Sequence, residues 1–423
     1  MLDERIYQNY IGILKEEMIP AMGCTEPIAV AYAAAVAVQA LGEKPESVEV
    51  NVSANIIKNV KSVVVPCTGG LRGIGAAVCA GIVAGCPEKE LEILEEITGE
   101  QKVEMKKMLD TMPMTIRESD KEYIFDIQIK ACAGGHSGYV EIAGFHTNVI
   151  CVKKDDEIIR EKAYEEQGSS CATDRSLLTV EKIIEFADCV DVADVEEVLQ
   201  RQIDYNWAIA EEGMTGNWGA AIGKTLMEAY GNSVHNRAKA MAAAGSDARM
   251  NGCELPVVIN SGSGNQGMTT SLPVIVYAKE LNVSKEMMLR ALVVSNLITI
   301  HMKTGIGRLS AYCGAISAGC GAGAGICYLY GGRAYEISHV IVNAVAINSG
   351  VVCDGAKASC AAKIASAVEA GLLGLQMQKN GKQFYGGDGL VEKGVENTIR
   401  NIGELAKKGM RETDKTIIQI MTR

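Results

Sequence analysis

The spacing of apolar residues changes along the chain, and each change predicts a different kind of element. Helical spacing runs through residues 2–18, and residues 28–41 form a second, almost wholly apolar helical stretch. Further helices are expected near residues 73–84 and 88–108. Strand-like alternation or short buried runs lie among them, at residues 48–52, 63–65, 123–129 and 139–142. Residues 153–167 are charged, which predicts a linker or a sheet edge.

The second half of the chain shows helical spacing only, without a convincing strand beyond about residue 176. The predicted helices cover residues 180–188, 192–211, 218–229, 234–244, 269–281, 285–302, 310–329, 335–348, 357–373, 391–407 and 414–421. The whole pattern predicts an α+β fold with a large all-α domain and a smaller α/β domain. We expect N-terminal helices at 1–45 that pack on the all-α domain and carry Cys24, an α/β domain at 46–169, and the all-α domain at 170–423.

Composition and charge narrow the classes of function. The 423 residues carry a net charge of −11 and no Lys/Arg run, which argues against nucleic-acid binding because phosphates require a concentrated basic surface. Residues 28–41 are too few for a membrane span, which needs about 20 apolar residues. Residues 311–329 are mostly small, so a buried helix is expected there as well. The polar start and the 14 cysteines predict no signal peptide, reduced thiols and a cytoplasmic location.

Three cysteines in the second half are candidate metal ligands. Cys313 is followed by Cys353 and then by Cys360. In one straight helix, Cys353 and Cys360 would lie about 10 Å apart along the axis, which is wide for a single small cluster. The Asp354-Gly355 pair favours a turn that lets the chain double back, with Cys360 in the first turns of the next helix. Three thiolates would leave one iron of a cubane without a protein sulfur and open to substrate.

Two further cysteines compete for the ligand role. Cys320 and Cys327 follow Cys313 at steps of seven, so all three lie on one predicted helical face. The Gly and Ala neighbours of Cys320 and Cys327 favour packing for both. Because the cysteine spacing matches no common zinc or ferredoxin pattern, the residues alone leave a metal site and simple core packing both open.

Cys24 is a candidate base near the start of the chain. It lies just before the predicted helix at residues 28–41, where the helix dipole and free N–H groups lower the pKa of a thiol. A thiolate there would act as a base or a nucleophile. A turn cysteine without a chemical role is the alternative.

Polar loops supply candidate substrate contacts. Residues 260–267, which include Ser263 and Asn265, precede a helix and are suited to binding a carboxylate. Arg72 follows a glycine-rich turn and has the guanidinium geometry for a bidentate carboxylate contact. His146 is expected at a strand edge, where a structural role is at least as plausible as a catalytic one. Glycine-rich turns are more often only turns, and these lack a dinucleotide fingerprint.

Taken together, these segments resemble the L-cysteine desulfidase family, which is related to the α-chain of iron–sulfur L-serine dehydratases. The segments that carry the resemblance are residues 23–27, 58–59, 146–148, 246–250, 260–267, 308–313 and 353–360. The resemblance implies a [4Fe-4S] cluster bound by Cys313, Cys353 and Cys360 in the all-α domain, which becomes the iron–sulfur catalytic domain. It also implies that Cys24 is the catalytic base. Residues 417–423 lack the terminal cysteine of many serine dehydratases, which favours the desulfidase branch.

The expected activity is therefore an iron–sulfur-dependent β-elimination of L-cysteine to pyruvate, ammonia and hydrogen sulfide, without pyridoxal phosphate. The substrate carboxylate is expected at Ser263 and Asn265, with Arg72 and His146 as further candidates. L-Serine dehydratase is the near alternative, and a non-enzymatic cysteine-binding iron–sulfur sensor is the distant one. The expected partner is a small amino acid, with no nucleic acid and no membrane, and the sequence leaves a homo-oligomer open.

Overall fold

A computed structural model describes residues 2–121, 123–164, 173–307 and 309–422 of the chain. It confirms the α+β fold with a large helical region. Within these residues, no helix combines the length and the apolar character that crossing a bilayer requires. The predicted domain boundary at 169/170 lies in residues 165–172, outside the described residues.

A six-stranded sheet forms the centre of the α/β part. Its strands are β2 (Ser47–Val52), β3 (Met114–Glu118), β4 (Asp126–Ala133), β5 (His136–Ala143), β6 (Val149–Lys154) and β7 (Glu157–Glu161). The spatial order is β3-β2-β4-β5-β6-β7, and only the β2–β3 pair is parallel. The helices of this region are α2 (Thr25–Leu41), α3 (Ala54–Val60), α4 (Gly73–Ala84) and α5 (Gly99–Thr111). Because β2 alternates buried and more exposed positions, one apolar face is available for helices to cover.

Helix α2 packs on this sheet, which corrects the expectation that both N-terminal helices lie on the all-α part. It contacts β4, β5 and α4. The approach is close because the partners are small: a Cβ on Gly81 of α4 would lie 1.9 Å from the carbonyl oxygen of Ala31. An almost wholly apolar helix needs burial on every side, and the position between the sheet and α4 supplies it.

The first helix lies on a different part of the molecule from α2. Helix α1 (Glu4–Glu17) packs on the helical part, where Tyr10 and Leu14 are fully buried. The helices that follow the sheet are α6 (Val180–Cys189), α7 (Ala193–Thr215), α8 (Ile222–Tyr230), α9 (Val234–Met250), α10 (Gly264–Glu280), α11 (Lys285–Ile306), α12 (Gly314–Leu329), α13 (Ala334–Ile347), α14 (Cys360–Lys379), α15 (Val395–Glu404) and α16 (Arg411–Thr422). Apart from α8, these helices place apolar residues in or against one hydrophobic core that includes α1. Helix α8 packs on a separate small cluster of alanines.

A two-stranded sheet joins the start of the chain to the helical part. Strand β1 (Pro20–Met22) pairs antiparallel with β8 (Pro256–Val258), a strand that the helical pattern of the second half did not predict. Three residues are too few to show a period of two, so only the pairing partner reveals the strand. The pairing places Cys24, two residues after β1, at the junction between the α/β part and the helical part.

Several local predictions differ from the structure. Residues 63–65 form an isolated bridge, between Val64 and Arg72, rather than a strand. The predicted helix at 88–108 divides into a 3-10 segment at Pro87–Glu92 and helix α5. The charged segment that begins at 153 includes edge strand β7, which is exposed along its whole length. Charged residues at an exposed edge oppose pairing with another sheet, which explains a composition that resembles a linker.

Candidate active site

A short antiparallel pairing brings Cys313 close to Cys353. The N–H of Cys313 donates to the carbonyl of Val351 at 3.1 Å, and the N–H of Cys353 donates to the carbonyl of Ala311 at 2.6 Å. Cys313 is also the N-cap residue of α12. Two segments 40 positions apart in sequence thus carry their cysteines side by side.

The turn predicted at Asp354-Gly355 is present and returns the chain to Cys360. Gly355 has a φ of +89°, a conformation that L residues rarely adopt. Its α-carbon lies so near helix α3 that an added Cβ would be 2.3 Å from the carbonyl oxygen of Lys58. Cys360 is the first residue of α14, and its thiol lies 3.8 Å from the carbonyl oxygen of Gly355. The turn therefore allows both cysteines to face one cavity.

Two lysines surround this turn. Burial opposes ionisation of Asp354, but hydrogen bonds and charge attraction from Lys357 and Lys363 outweigh it and lower the pKa of Asp354 to about 2. Lys363 also donates to the carbonyl of Val352 at 2.9 Å. Its pKa is raised because Asp354 and the nearby thiols favour the cation more than burial opposes it. The loop thus places fixed positive charge beside the cysteines.

The chemistry of the three thiols fits an iron–sulfur cluster. Burial, then the neighbouring Cys353, raises the pKa of Cys313 to about 12, and burial also raises the pKa of Cys360. Because the thiols of Cys313 and Cys360 resist ionisation, they need a cationic centre to become ligands, and an iron–sulfur cluster supplies one. Among the described residues, no three His, Cys, Asp or Glu side chains are arranged so that they could bind a single metal ion. A cubane spreads its thiolates over separate irons, so it needs wider spacing than a single ion.

Cys24 reaches the same region, but its electrostatics differ from the prediction. It is the N-cap residue of α2, as expected from its position, and it packs near Cys360. Burial and the charge of Glu26 raise the pKa of the Cys24 thiol well above its usual value, while Arg249 opposes that shift. The thiol donates to Glu26 Oε2 at 3.2 Å. The expectation of a lowered pKa is therefore wrong, because burial and a carboxylate neighbour outweigh the helix dipole.

Glu26 is held ionised by several donors. Thr25 Oγ1 donates to its Oε2 at 3.0 Å, and Asn59 Nδ2 donates to its Oε1 at 3.1 Å. Burial acts to raise the pKa of Glu26, but His146 and the hydrogen bond from Cys24 outweigh it, so the pKa lies below its usual value. His146 is buried behind Glu26 and outside the wall of the cavity. The structure thus gives His146 an electrostatic effect on Glu26 rather than a direct position in the cavity.

The polar loop at residues 260–267 forms another side of the site. Ser263 is the N-cap residue of α10, and its own side chain does not cap the helix. Buried Arg249, at the end of α9, donates through Nη1 to Asn265 Oδ1 at 3.2 Å. Behind the loop, Asn260 Nδ2 donates to Asn296 Oδ1 at 2.9 Å in the helical core. Side-chain hydrogen bonds to the core thus hold the loop at the cavity.

Many of these groups line one cavity of about 110 Å³. The predicted site residues in its wall are Cys24, Ser263, Asn265, Cys313, Cys353 and Cys360. Arg72 is not in the wall: it is exposed and donates to the carbonyl of Ser62 at 2.9 Å. Cys320 and Cys327 are buried within α12, away from the cavity, as packing residues would be. Arg308 lies outside the described residues.

Several residues of the wall had no individual role assigned from the sequence. Those within the segments that carry the family resemblance are Glu26, Lys58, Arg249, Gln266 and Tyr312, and the others are Lys303 and Lys363. One signal could have found Arg249: Asp247 and Arg249 are charged, yet they follow an alanine-rich run that predicts a buried helix. A charge in such a helix is costly unless it has a partner or a function.

The fold and the cavity define an α+β protein with a thiol-rich site where its α/β part meets its helical part. The chain belongs to the serine dehydratase alpha chain family, whose profile matches residues 88–419. Membership of this family indicates a lyase of the dehydratase type and supports an iron–sulfur cofactor. The family is the group related to L-cysteine desulfidases, as the sequence motifs indicated.

Similar proteins match the chain over nearly its full length. A UPF0597 protein of Desulfitobacterium hafniense is 60% identical over 418 residues, which are 99% of this chain and 97% of the relative. A UPF0597 protein of Lachnoclostridium phytofermentans is 50% identical over 98% of this chain and 100% of its own. A third, from Treponema denticola, is 43% identical over 99% of both chains. The chain and these relatives therefore match over nearly their whole lengths.

Proposed function

We propose that the protein is a pyridoxal-phosphate-independent L-cysteine desulfidase of the cytoplasm, which converts L-cysteine to pyruvate, ammonia and hydrogen sulfide. The observation that carries the proposal is the single cavity whose wall contains Cys24 together with Cys313, Cys353 and Cys360. A base and a set of metal-binding thiols on one small cavity match what a metal-assisted β-elimination requires.

In this proposal Cys313, Cys353 and Cys360 hold a [4Fe-4S] cluster at three corners. When bound, the cluster supplies a Lewis acid at the iron that has no protein thiolate, which favours departure of the substrate sulfur. Lys363 contributes a cation beside the thiolates and so stabilises their ionised form.

Cys24 acts as the base that removes the Cα proton. Because its pKa is raised, the thiol is protonated at rest and must lose that proton first. Glu26 Oε2, at 3.2 Å, is an acceptor within hydrogen-bonding distance. The transfer is uphill because the pKa of Glu26 lies below its usual value, and the Arg249 charge lowers that cost by favouring the thiolate. The thiolate then takes the Cα proton while the substrate sulfur leaves. The pair of Cys24 and Glu26 thus replaces the isolated low-pKa thiol expected from the sequence.

The loop that carries Ser263 and Asn265 binds the substrate carboxylate. Both residues border the cavity at the N-terminus of α10, where N–H groups and the helix dipole favour an anion. Aminoacrylate released from the site becomes an imine and hydrolyses to pyruvate and ammonia in water, so the protein supplies only the elimination. No redox change is required.

L-Serine dehydration is the second candidate. The description of the matching family supports it, since that family is named for serine dehydratase. The two reactions share the carboxylate contact, the base and the product pyruvate, and they differ in whether water or sulfide leaves.

An anaerobic preparation tests the proposal. Iron and acid-labile sulfide are quantified beside assays of pyruvate and sulfide release from L-cysteine and L-serine. We expect Cys353→Ala to lose iron and activity together, and Cys24→Ala to keep its iron and lose turnover. Cys86→Ala, at an exposed cysteine outside the cavity, is the matched control and should change neither. Full turnover by Cys24→Ala would exclude Cys24 as the base, and pyruvate from L-serine alone would establish the second candidate.

A further inference from the structure

A buried arginine lines the cavity, and no carboxylate of the described residues forms a hydrogen bond or ion pair with it. Arg249 is 2% exposed, and no described residue forms a hydrogen bond with its Nε atom. Its guanidinium packs against Gly264, where an added Cβ would lie 2.4 Å from Nε. Its hydrogen bond to Asn265 Oδ1 has a neutral acceptor. A buried cation is costly without an anion in direct contact, so the cavity suits an anion at this position.

The first turn of α10 adds a second source of positive potential at the same place. Helix α10 is 17 residues long and begins at Gly264, the residue that contacts Arg249. The first N–H groups of a helix have no acceptor within the helix and point outward from its end. The side chain of Gln266 is 5% exposed, and its Oε1 atom has no hydrogen-bond partner among the described residues. Two buried side chains with unused polar atoms therefore adjoin this helix end.

Glu26 supplies the opposite charge in the same wall. It is ionised, as argued above, and it interacts electrostatically with Arg249 across the cavity region. An α-amino acid is a zwitterion, with a carboxylate and an ammonium on one carbon. A wall that offers a guanidinium and a carboxylate matches both of those charges.

We propose that Arg249 is the receptor for the α-carboxylate of the substrate, in a bidentate contact supported by the first turn of α10. The substrate class is then an α-amino acid with a free carboxylate. This inference rests on the proposed function for the reaction. The contact between Arg249 and the carboxylate can nevertheless be tested by ligand binding alone. It transfers to Arg249 the role that the sequence assigned to Arg72, because only Arg249 lies in the wall.

Binding of an unreactive ligand to the anaerobically purified holoprotein tests the proposal. L-Alanine has no leaving group, and L-alaninamide differs from it in lacking the carboxylate charge. Calorimetry should detect L-alanine binding and much weaker L-alaninamide binding. Arg249→Gln should raise the Kd of L-alanine by about 30-fold or more, as expected for loss of a buried charged contact. Arg249→Lys keeps the charge but loses the planar guanidinium. Its Kd for L-alanine should therefore lie between that of the wild type and that of Arg249→Gln.

Two more variants separate a loss of binding from a loss of fold. Gly264→Ala leaves the charge in place and displaces the guanidinium, so it should also raise the Kd. Arg237→Gln is the matched control, since Arg237 lies on the same helix, pairs with Glu280 and is outside the cavity wall. Circular dichroism and thermal unfolding should show native spectra for every variant that is compared.

Iron and acid-labile sulfide are measured in the same samples. If Arg249→Gln lost iron, the guanidinium would serve the cluster and the proposal would be overturned. Three binding results would also overturn it: equal binding of L-alanine and L-alaninamide, no detectable L-alanine binding by the wild type, or an unchanged Kd in Arg249→Gln.

Failure of this proposal can be distinguished from failure of the proposed function. If the wild type binds L-alanine through Arg249 but releases pyruvate from no amino acid, the proposed function fails and the role of Arg249 as carboxylate receptor stands. If the wild type releases pyruvate while Arg249→Gln binds L-alanine unchanged, the receptor fails and the proposed function stands.

Discussion

Gly355 is the residue at which one methyl group should disrupt the cysteine site. It lies in the turn between Cys353 and Cys360 with a φ of +89°, and an added Cβ would be 2.3 Å from the carbonyl oxygen of Lys58. That carbonyl cannot retreat easily, because Lys58 is buried and pairs with Asp414 of α16. The substitution Gly355→Ala must therefore move the turn itself.

The size of the effect follows from two separate terms. An L residue in the left-handed region costs about 1–2 kcal/mol. Forcing an extra methyl group into a packed contact costs about 1–3 kcal/mol more. The free energy of unfolding should thus fall by roughly 2–5 kcal/mol. Displacement of Cys353 relative to Cys360 should also lower the iron bound per chain.

The assay compares iron, acid-labile sulfide and thermal unfolding for the wild type, Gly355→Ala and Gly350→Ala. Gly350 is the matched control, since it is exposed in the same loop and no atom lies within 4 Å of the Cβ it would gain. We expect normal iron content in Gly350→Ala and a clear loss in Gly355→Ala. If both variants kept the iron content and Tm of the wild type, the argument that this turn positions the ligands would be refuted.

Two further predictions concern ion pairs. Asp414→Asn leaves the buried Lys58 without its anion, so the free energy of unfolding should fall by about 3–5 kcal/mol in denaturant titrations. Glu369 has its pKa lowered to about 2 by a hydrogen bond from His235, against the opposing effect of burial, with further help from Lys239. Since that pKa lies below the ordinary value of 4.5, the ionised group stabilises the fold above about pH 4.5 and loses this effect as the pH falls towards 2. The Tm difference between the wild type and Glu369→Gln should therefore shrink over that interval.

An exposed ion pair provides the control for the first of these two predictions. Glu404→Gln removes an exposed pair with Lys408 on one helical face, which should cost less than about 1 kcal/mol. If Glu404→Gln lowered the free energy of unfolding as much as Asp414→Asn does, burial of Lys58 would not be the cause of the Asp414→Asn effect. A Tm difference for Glu369→Gln that stayed constant with pH would contradict the assignment of its pKa.

Much of the fold could be predicted because the relevant information is local. The helices of the second half follow from apolar spacing, and their observed ends agree with the pattern within a few residues for most of them. The turn at Asp354-Gly355 follows from the conformational preferences of those two residues. The position of Cys24 at the N-terminus of α2 likewise needed only the helix that follows it.

The placement of α2 could not be predicted because an apolar helix suits any apolar surface. The sequence indicates that α2 must be buried but does not say whether helices or a sheet will cover it. The short strands β1 and β8 posed a related problem, since neither is recognisable without the other. Pairing partners far apart in sequence decided both cases.

Local patterns in the sequence were sufficient to predict the types of the main elements and to single out the cysteines of the candidate site. The folded arrangement is what raises the pKa of Cys24, because burial and the neighbouring Glu26 outweigh the local helix dipole. It also placed Arg249 in the cavity wall and left Arg72 outside. Helix formation depends on residues a few positions apart, whereas charge and access depend on every group that folding brings near, and sequence spacing does not record those distances.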